Sequence, residues 1–275
     1  MIPPDAIMRW IILAALALLL LAGCGKAEFT SSYADCQGLD DQKSTDGCIM
    51  QQSIDSNNPA TCAEIVTPLI KDLCTSEIAI QQNDLASCHA IGTEKVKGNC
   101  IEKLAKKQNN SNLCPTIADG NWRDICFMDL GIVQLDIRHC VEIVNPHESD
   151  TCYFEIAKAT NSSALCHKLF SVEKADECFG SIALLTEDQS ACLGISNQGK
   201  AQVCILKIAV GKGNILLCEN IDEEYLRNSC YFNIAIRADE PEVCNGITNT
   251  TIQKQCINEL ERINANSQNT SLAEA

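Results

Sequence analysis

CVEIVNPHESDTCYFEIAKATNSSAL, residues 140–165, and CHKLFSVEKADECFGSIALLTEDQSA, residues 166–191, are two copies of one pattern. Each opens on a cysteine, places Ile143 or Leu169 three residues on, and sets a second cysteine, Cys152 or Cys178, twelve residues after the first. Behind the second cysteine stand a bulky apolar residue (Tyr153 or Phe179) and then Ile156-Ala157 or Ile182-Ala183. Apolar residues spaced three and four apart line one face of a helix, whereas a strand would alternate.

The pattern extends in both directions. Cysteines fall at Cys36, Cys48, Cys62, Cys74, Cys88, Cys100, Cys114, Cys126, Cys140, Cys152, Cys166, Cys178, Cys192, Cys204, Cys218, Cys230, Cys244 and Cys256, with gaps that alternate between 12 and 14. The period is therefore 26 residues, repeated nine times. Periods of this length belong to solenoids and arrays. With the first cysteine of each repeat as position 1, position 4 is Leu or Ile in every repeat and position 18 is small in most.

Two columns of helix-capping residues set the boundaries. Position 6 includes Asp41, Thr67, Asp119, Asn145, Ser171 and Asn197; position 23 includes Asn58, Asp84, Asn110, Asp136, Asp188 and Asn214. Such side chains accept bonds from the first free N–H groups of a helix. Pro68 and Pro146 follow the first column and Pro59 and Pro241 the second, at the helical position where proline is tolerated best. Each repeat is predicted to hold a short helix from position 24 to 4 and a longer one from 7 to 21. Neither is long enough to be stable alone in water. The predicted fold is all-α: a right-handed α/α solenoid of nine disulfide-stapled helix-turn-helix repeats over residues 32–265, with a capping half-repeat at 266–275.

Pairing position 1 with 13 inside each repeat uses all eighteen cysteines, whereas pairing 13 with the next repeat's 1 strands Cys36 and Cys256. The tenth position-1 site is Thr270, so the cysteine disappears where the first scheme would leave it without a partner. Closing a loop of this size stabilises by about 3 kcal/mol in the chain-entropy model. That compensates for the small core a 26-residue unit can build.

Composition narrows the function. Apolar residues reach 46% but aromatics only 4%, so the core is built from Ile, Leu, Ala and Cys. A net charge of −15 opposes nucleic-acid binding, which needs cations to displace counterions. Nineteen cysteines indicate an oxidising compartment. Arg9 precedes an apolar run from Trp10 to Ala22, the length of a signal-peptide core and short for a membrane span.

That run ends Leu21-Ala22-Gly23-Cys24, followed by Gly25-Lys26. It resembles the lipobox of bacterial and some archaeal lipoproteins. The resemblance implies a signal peptide at 1–23, lipidation of Cys24, and a short linker at 24–31. Met8 would be a more typical start than Met1. The repeat plan resembles the tetratricopeptide-like superfamily of helical-pair repeats over residues 32–275, though the Gly- and Tyr-bearing consensus of those longer units is absent. That resemblance implies solenoid shape and a tendency to bind protein or peptide along a concave face. No site residue transfers.

Chemistry-bearing motifs are few. His89 and His167 share position 2, while His139 and His147 lie elsewhere, and all four read as surface residues. No CxxC spacing, Gly-rich phosphate loop or GxSxG occurs, so no catalytic residue, metal or cofactor is expected. Lys103, Lys106 and Lys107 form one small basic spot, and Asn109, Asn161, Asn249 and Asn269 begin N-x-Ser/Thr sequons. Position 15 is apolar in five repeats: Met50, Met128, Phe154, Leu206 and Phe232. These residues form either a ladder for a partner segment or packing against the next long helix. The expected function is a lipid-anchored extracytoplasmic scaffold, at the cell surface or in the periplasm, that binds an unknown protein or peptide. A structural, stalk-like envelope protein is the alternative, and an enzyme acting on envelope polymers is a more distant one, with Trp122 and His139 marking the least typical repeat.

Overall fold

The computed structural model describes Cys36, Gln37 and residues 39–273, the last eight through their backbone only. The leader at 1–23, the lipidation site Cys24 and the linker at 24–31 lie outside these residues. Every regular element described is helical. The long helices are α1 (Gln42–Asp55), α2 (Pro68–Gln82), α3 (Glu94–Gln108), α4 (Gly120–Gln134), α5 (Pro146–Thr160), α6 (Val172–Thr186), α7 (Gln198–Lys212), α8 (Glu224–Ala238) and α9 (Thr250–Ala273). From α2 to α8 they run from position 7 to position 21. Short helices of four to six residues connect them, and four of the eight are 3₁₀, for example Ser163–Lys168. The position-4 residue falls outside every short helix, and the helices end one to three residues earlier than predicted.

The chain divides after Ile78 into two compact units. In the first, Cys36–Cys48 and Cys62–Cys74 are bonded and pack with Ile49, Ile65 and Ile78. In the second, seven bridges run from Cys88–Cys100 to Cys244–Cys256, and successive long helices pack side by side, α3 on α4 through α8 on α9. All nine bridges are intra-repeat and span 12 residues, with Cα–Cα distances of 5.6–6.0 Å. The sulfurs lie in the apolar strip itself, beside Leu104, Leu130, Ile156, Ile182, Ile208 and Ile234 from position 17. Position 18 is Ala or Gly in seven of the nine repeats. A methyl group added to Gly131 would meet the Cys152 Sγ at 3.0 Å.

Capping follows the two columns. Asp119 Oδ1 accepts from the Trp122 N–H (3.1 Å) and Asn197 Oδ1 from the Lys200 N–H (3.0 Å) at position 6. Asn58 Oδ1 accepts from the Ala60 N–H (3.1 Å) and Asp188 Oδ1 from the Ser190 N–H (2.9 Å) at position 23. Helix C-termini reveal a third column. Position 22 is left-handed in Asn57, Asn83, Asn109, Leu135, Asn161, Glu187, Gly213 and Asp239, with φ between 51° and 62°. Beyond it, the position-23 N–H donates to the position-18 carbonyl, as Asn110 does to Ala105 at 2.8 Å. This Schellman closure satisfies the last carbonyls of the long helix. One residue, at 23, thus ends one helix and caps the next.

Repeat nine has Ala265 at position 22, and α9 does not stop there. Ala265 stays helical where position 22 of the other repeats turns left-handed, so the separate short helix expected after Asn266 does not form. The helix runs on to Ala273.

A fourth column, at position 11, ties repeats together. Asp46 accepts from the Val66 N–H (3.1 Å) and the Thr67 N–H (2.8 Å), residues 5 and 6 of the next repeat. Asp150 does the same for Phe170 (2.6 Å) and Ser171 (3.1 Å), and Asp124 for Val144 and Asn145. Gln202 reaches the Glu223 N–H (2.8 Å) and Asn228 the Thr248 N–H (3.0 Å). These side chains are almost wholly buried, where an unpaired polar group is costly. Repeat three has Gly98 there instead, and Trp122 fills the space against it.

Candidate functional site

The position-15 residues decide how consecutive long helices meet. Met50, Met128, Phe154, Leu206 and Phe232 are all half-buried and pack on the core. Two other repeats depart from this ladder in ways that matter. Repeat three carries Glu102, 5% exposed, near Asp129 and Lys106. Burial, reinforced by the Asp129 charge, pushes the Glu102 carboxyl up, and Lys106 pairs with Asp129 at 2.5 Å.

Repeat six carries Gly180, which helps line an open cavity of about 560 Å³ between α6 and α7. Its floor is apolar: Gly180, Leu184, Ile195, Val203 and Cys204. Cys204 is 5% exposed, whereas its bridge partner Cys192 is fully covered. The α6 wall carries Glu173 and Glu177, and the α7 wall Lys200 and Lys207. Asp176 anchors the inner edge. It accepts from the Ser196 N–H at 2.7 Å and lies 3.9 Å from Lys200 Nζ. Burial opposes its ionisation, but the Ser196 hydrogen bonds and the Lys200 charge prevail and hold its carboxyl below the usual range.

Two smaller depressions adjoin this cavity through shared lining residues. Glu177 also lines one of about 140 Å³ between α5 and α6, with Phe154, Glu155 and Lys174. Gly199 also lines one of about 310 Å³ beside the start of α8, with Gln198, Gln202, Asp222 and Glu223. Together they form a row of adjoining depressions over α5, α6 and α7 that ends at the residues just before α8. Phe154 joins this groove from the ladder. Lys158 Nζ sits 5.2 Å from its ring centroid.

Other singled-out residues have structural partners. His89, His147 and His167 are exposed, but His139 is half-buried, 3.0 Å from Gln134 Oε1 and stacked near Phe127. Lys107 donates to the Ile80 and Gln81 carbonyls at the end of α2, and Lys106 reaches α4 through Asp129, so the basic spot holds elements together. Asn109 and Asn161 are helix C-caps and Asn249 an N-cap. Among the described residues no three His, Cys, Asp or Glu side chains converge as metal ligands.

No family model, curated protein or solved structure matches the chain. Nine intramolecular disulfides indicate an oxidising, extracytoplasmic compartment. Among the described residues no helix is long and apolar enough to cross a membrane.

Proposed function

We propose that the chain is a lipid-anchored extracytoplasmic scaffold, not an enzyme, and that it binds an extended segment of a protein partner in the groove over α5–α7. The groove itself carries this reading: three adjoining open depressions with apolar and charged lining, running over α5, α6 and α7 to the residues before α8 on a covalently stapled frame. Pockets that bind ligands combine an apolar lining with a few placed polar groups, as here. Anchoring rests on the lipobox-like ending at Cys24, which would hold the groove outside the membrane.

The test is selection from a displayed random-peptide library on the oxidised chain, with recovered clones re-measured on Gly180→Leu. Enriched clones that lose at least tenfold in affinity on the variant support the reading. No enrichment, or enrichment blind to Gly180→Leu, contradicts it. Anchoring is checked separately: Cys24→Ser should move the protein from the membrane fraction to the soluble one.

A further inference from the structure

We infer that the groove selects a basic peptide segment: a large aliphatic side chain seated at Gly180, with a Lys or Arg about five residues along the chain reaching Asp222 and Glu223. This rests on the binding reading above and names the ligand class. The central cavity is apolar at its floor, and its opening at position 15 is the space that Leu206 or Phe154 would fill in neighbouring repeats. It therefore suits one side chain of leucine size or larger.

The charge pattern supplies the second element. In the depression beside α8 the charged lining residues are Asp222 and Glu223, both exposed and both acidic, with Gln198 and Gln202 as neutral neighbours. Glu223 makes no side-chain capping bond to α8, so its carboxylate is not committed there. The net charge of −15 adds long-range attraction for a cation and repels an acidic segment. Spacing follows from geometry. Neighbouring helices lie roughly 8–10 Å apart, and an extended peptide advances about 3.3 Å per residue. Gly180 lies on α6 and Asp222 and Glu223 stand at the start of α8, two helix spacings away, so the separation is roughly 16–20 Å, or about five to six residues of ligand.

The test uses a labelled Lys-Ala-Thr-Ala-Thr-Leu-Thr-Ala-Thr-Ala-Lys peptide, capped at both ends, and the full oxidised chain, followed by fluorescence polarisation. A lysine on each side lets either chain direction satisfy the acidic end. Two control peptides replace Leu with Ser or both Lys with Glu. The variants are Gly180→Leu and the pair Asp222→Asn with Glu223→Gln. At Gly180 an added Cβ meets only Ile195 Cδ1, at 3.8 Å, so leucine enters open space and raises helix propensity. Thermal stability should hold or rise while binding is lost, which separates a filled groove from an unfolded one.

The expected result is binding at least tenfold tighter than either control, lost at least tenfold in Gly180→Leu and about fivefold or more in the amide pair. Equal binding of the Glu-flanked or Ser-centred peptide, or indifference to both variants, overturns the inference. If library clones of other sequence still depend on Gly180, the scaffold reading stands and only this ligand class falls. If the library fails as well, both fall.

Discussion

At position 22, seven non-glycine residues hold positive φ. Asparagine tolerates this conformation, and a residue such as leucine pays about 1–2 kcal/mol for it. Leu135, with φ of 53° and half its side chain in solvent, is strained without a packing return. Leu135→Gly should therefore stabilise by about 0.5–1 kcal/mol, allowing for the freedom glycine adds to the unfolded chain, as read by denaturant titration. Asp46 tests the clasp column. Burial opposes its charge, but the Thr67 hydroxyl and the Val66 and Thr67 N–H groups outweigh that and bring the carboxyl down to about 2. A folded value below the unfolded 3.8 gives stability that is present above 3.8 and lost as pH falls towards 2. Asp46→Asn, which repeat eight tolerates natively as Asn228, should flatten that acid loss. Asp46→Ala should cost about 2 kcal/mol at neutral pH by orphaning two N–H groups. Both columns are visible in the sequence, in the Asn run at 22 and the acids at 11. Leu135, Glu187 and Gly98 interrupt them, and hydropathy does not separate a buried clasp from a solvated acid.

Among the elements, the long helices α2 to α8 were legible to the residue because the position-6 capping column repeats without drift. The short ones were less so. Six residues between two caps close equally well as one α turn or as 3₁₀, and the choice depends on packing that composition does not reveal. The fused α9 departs from the plan at the single residue Ala265. Position 15 was readable as a ladder, but its decisive members are those that break it. Gly180 matters through the side chain it lacks, which periodicity cannot register. Glu102 matters because it is buried beside Asp129, 27 residues away in the sequence. Its raised carboxyl favours the fold below the unfolded value of 4.5, and that contribution is lost as pH rises through the folded value. Glu102→Met, the residue of repeats one and four, should thus stabilise on the order of 1 kcal/mol at pH 7. At pH 4 the gain should vanish. Thermal melts at the two pH values check both statements.

For the whole molecule, the sulfur bridges take the place of an interior. Each repeat contributes between one and four large buried aliphatics, joined in four repeats by a buried Phe or Tyr, with Ala or Gly at position 18 in most and one cystine each. An apolar interior this thin gives little burial to offset the entropy of ordering 26 residues. The bridges act on the unfolded chain by shortening its reach. Each bridge pins a long helix to the short helix before it, and the Asp176–Ser196 hydrogen bond ties the groove walls α6 and α7 across repeats, which pre-organises a binding surface and lowers the cost of association. The direct measurement is far-UV circular dichroism of the full chain before and after complete reduction and alkylation, at 25 °C and through a thermal ramp. Loss of most helical signal, with no cooperative transition left, is the result predicted. A reduced chain that keeps its helix content and melts cooperatively would contradict the account.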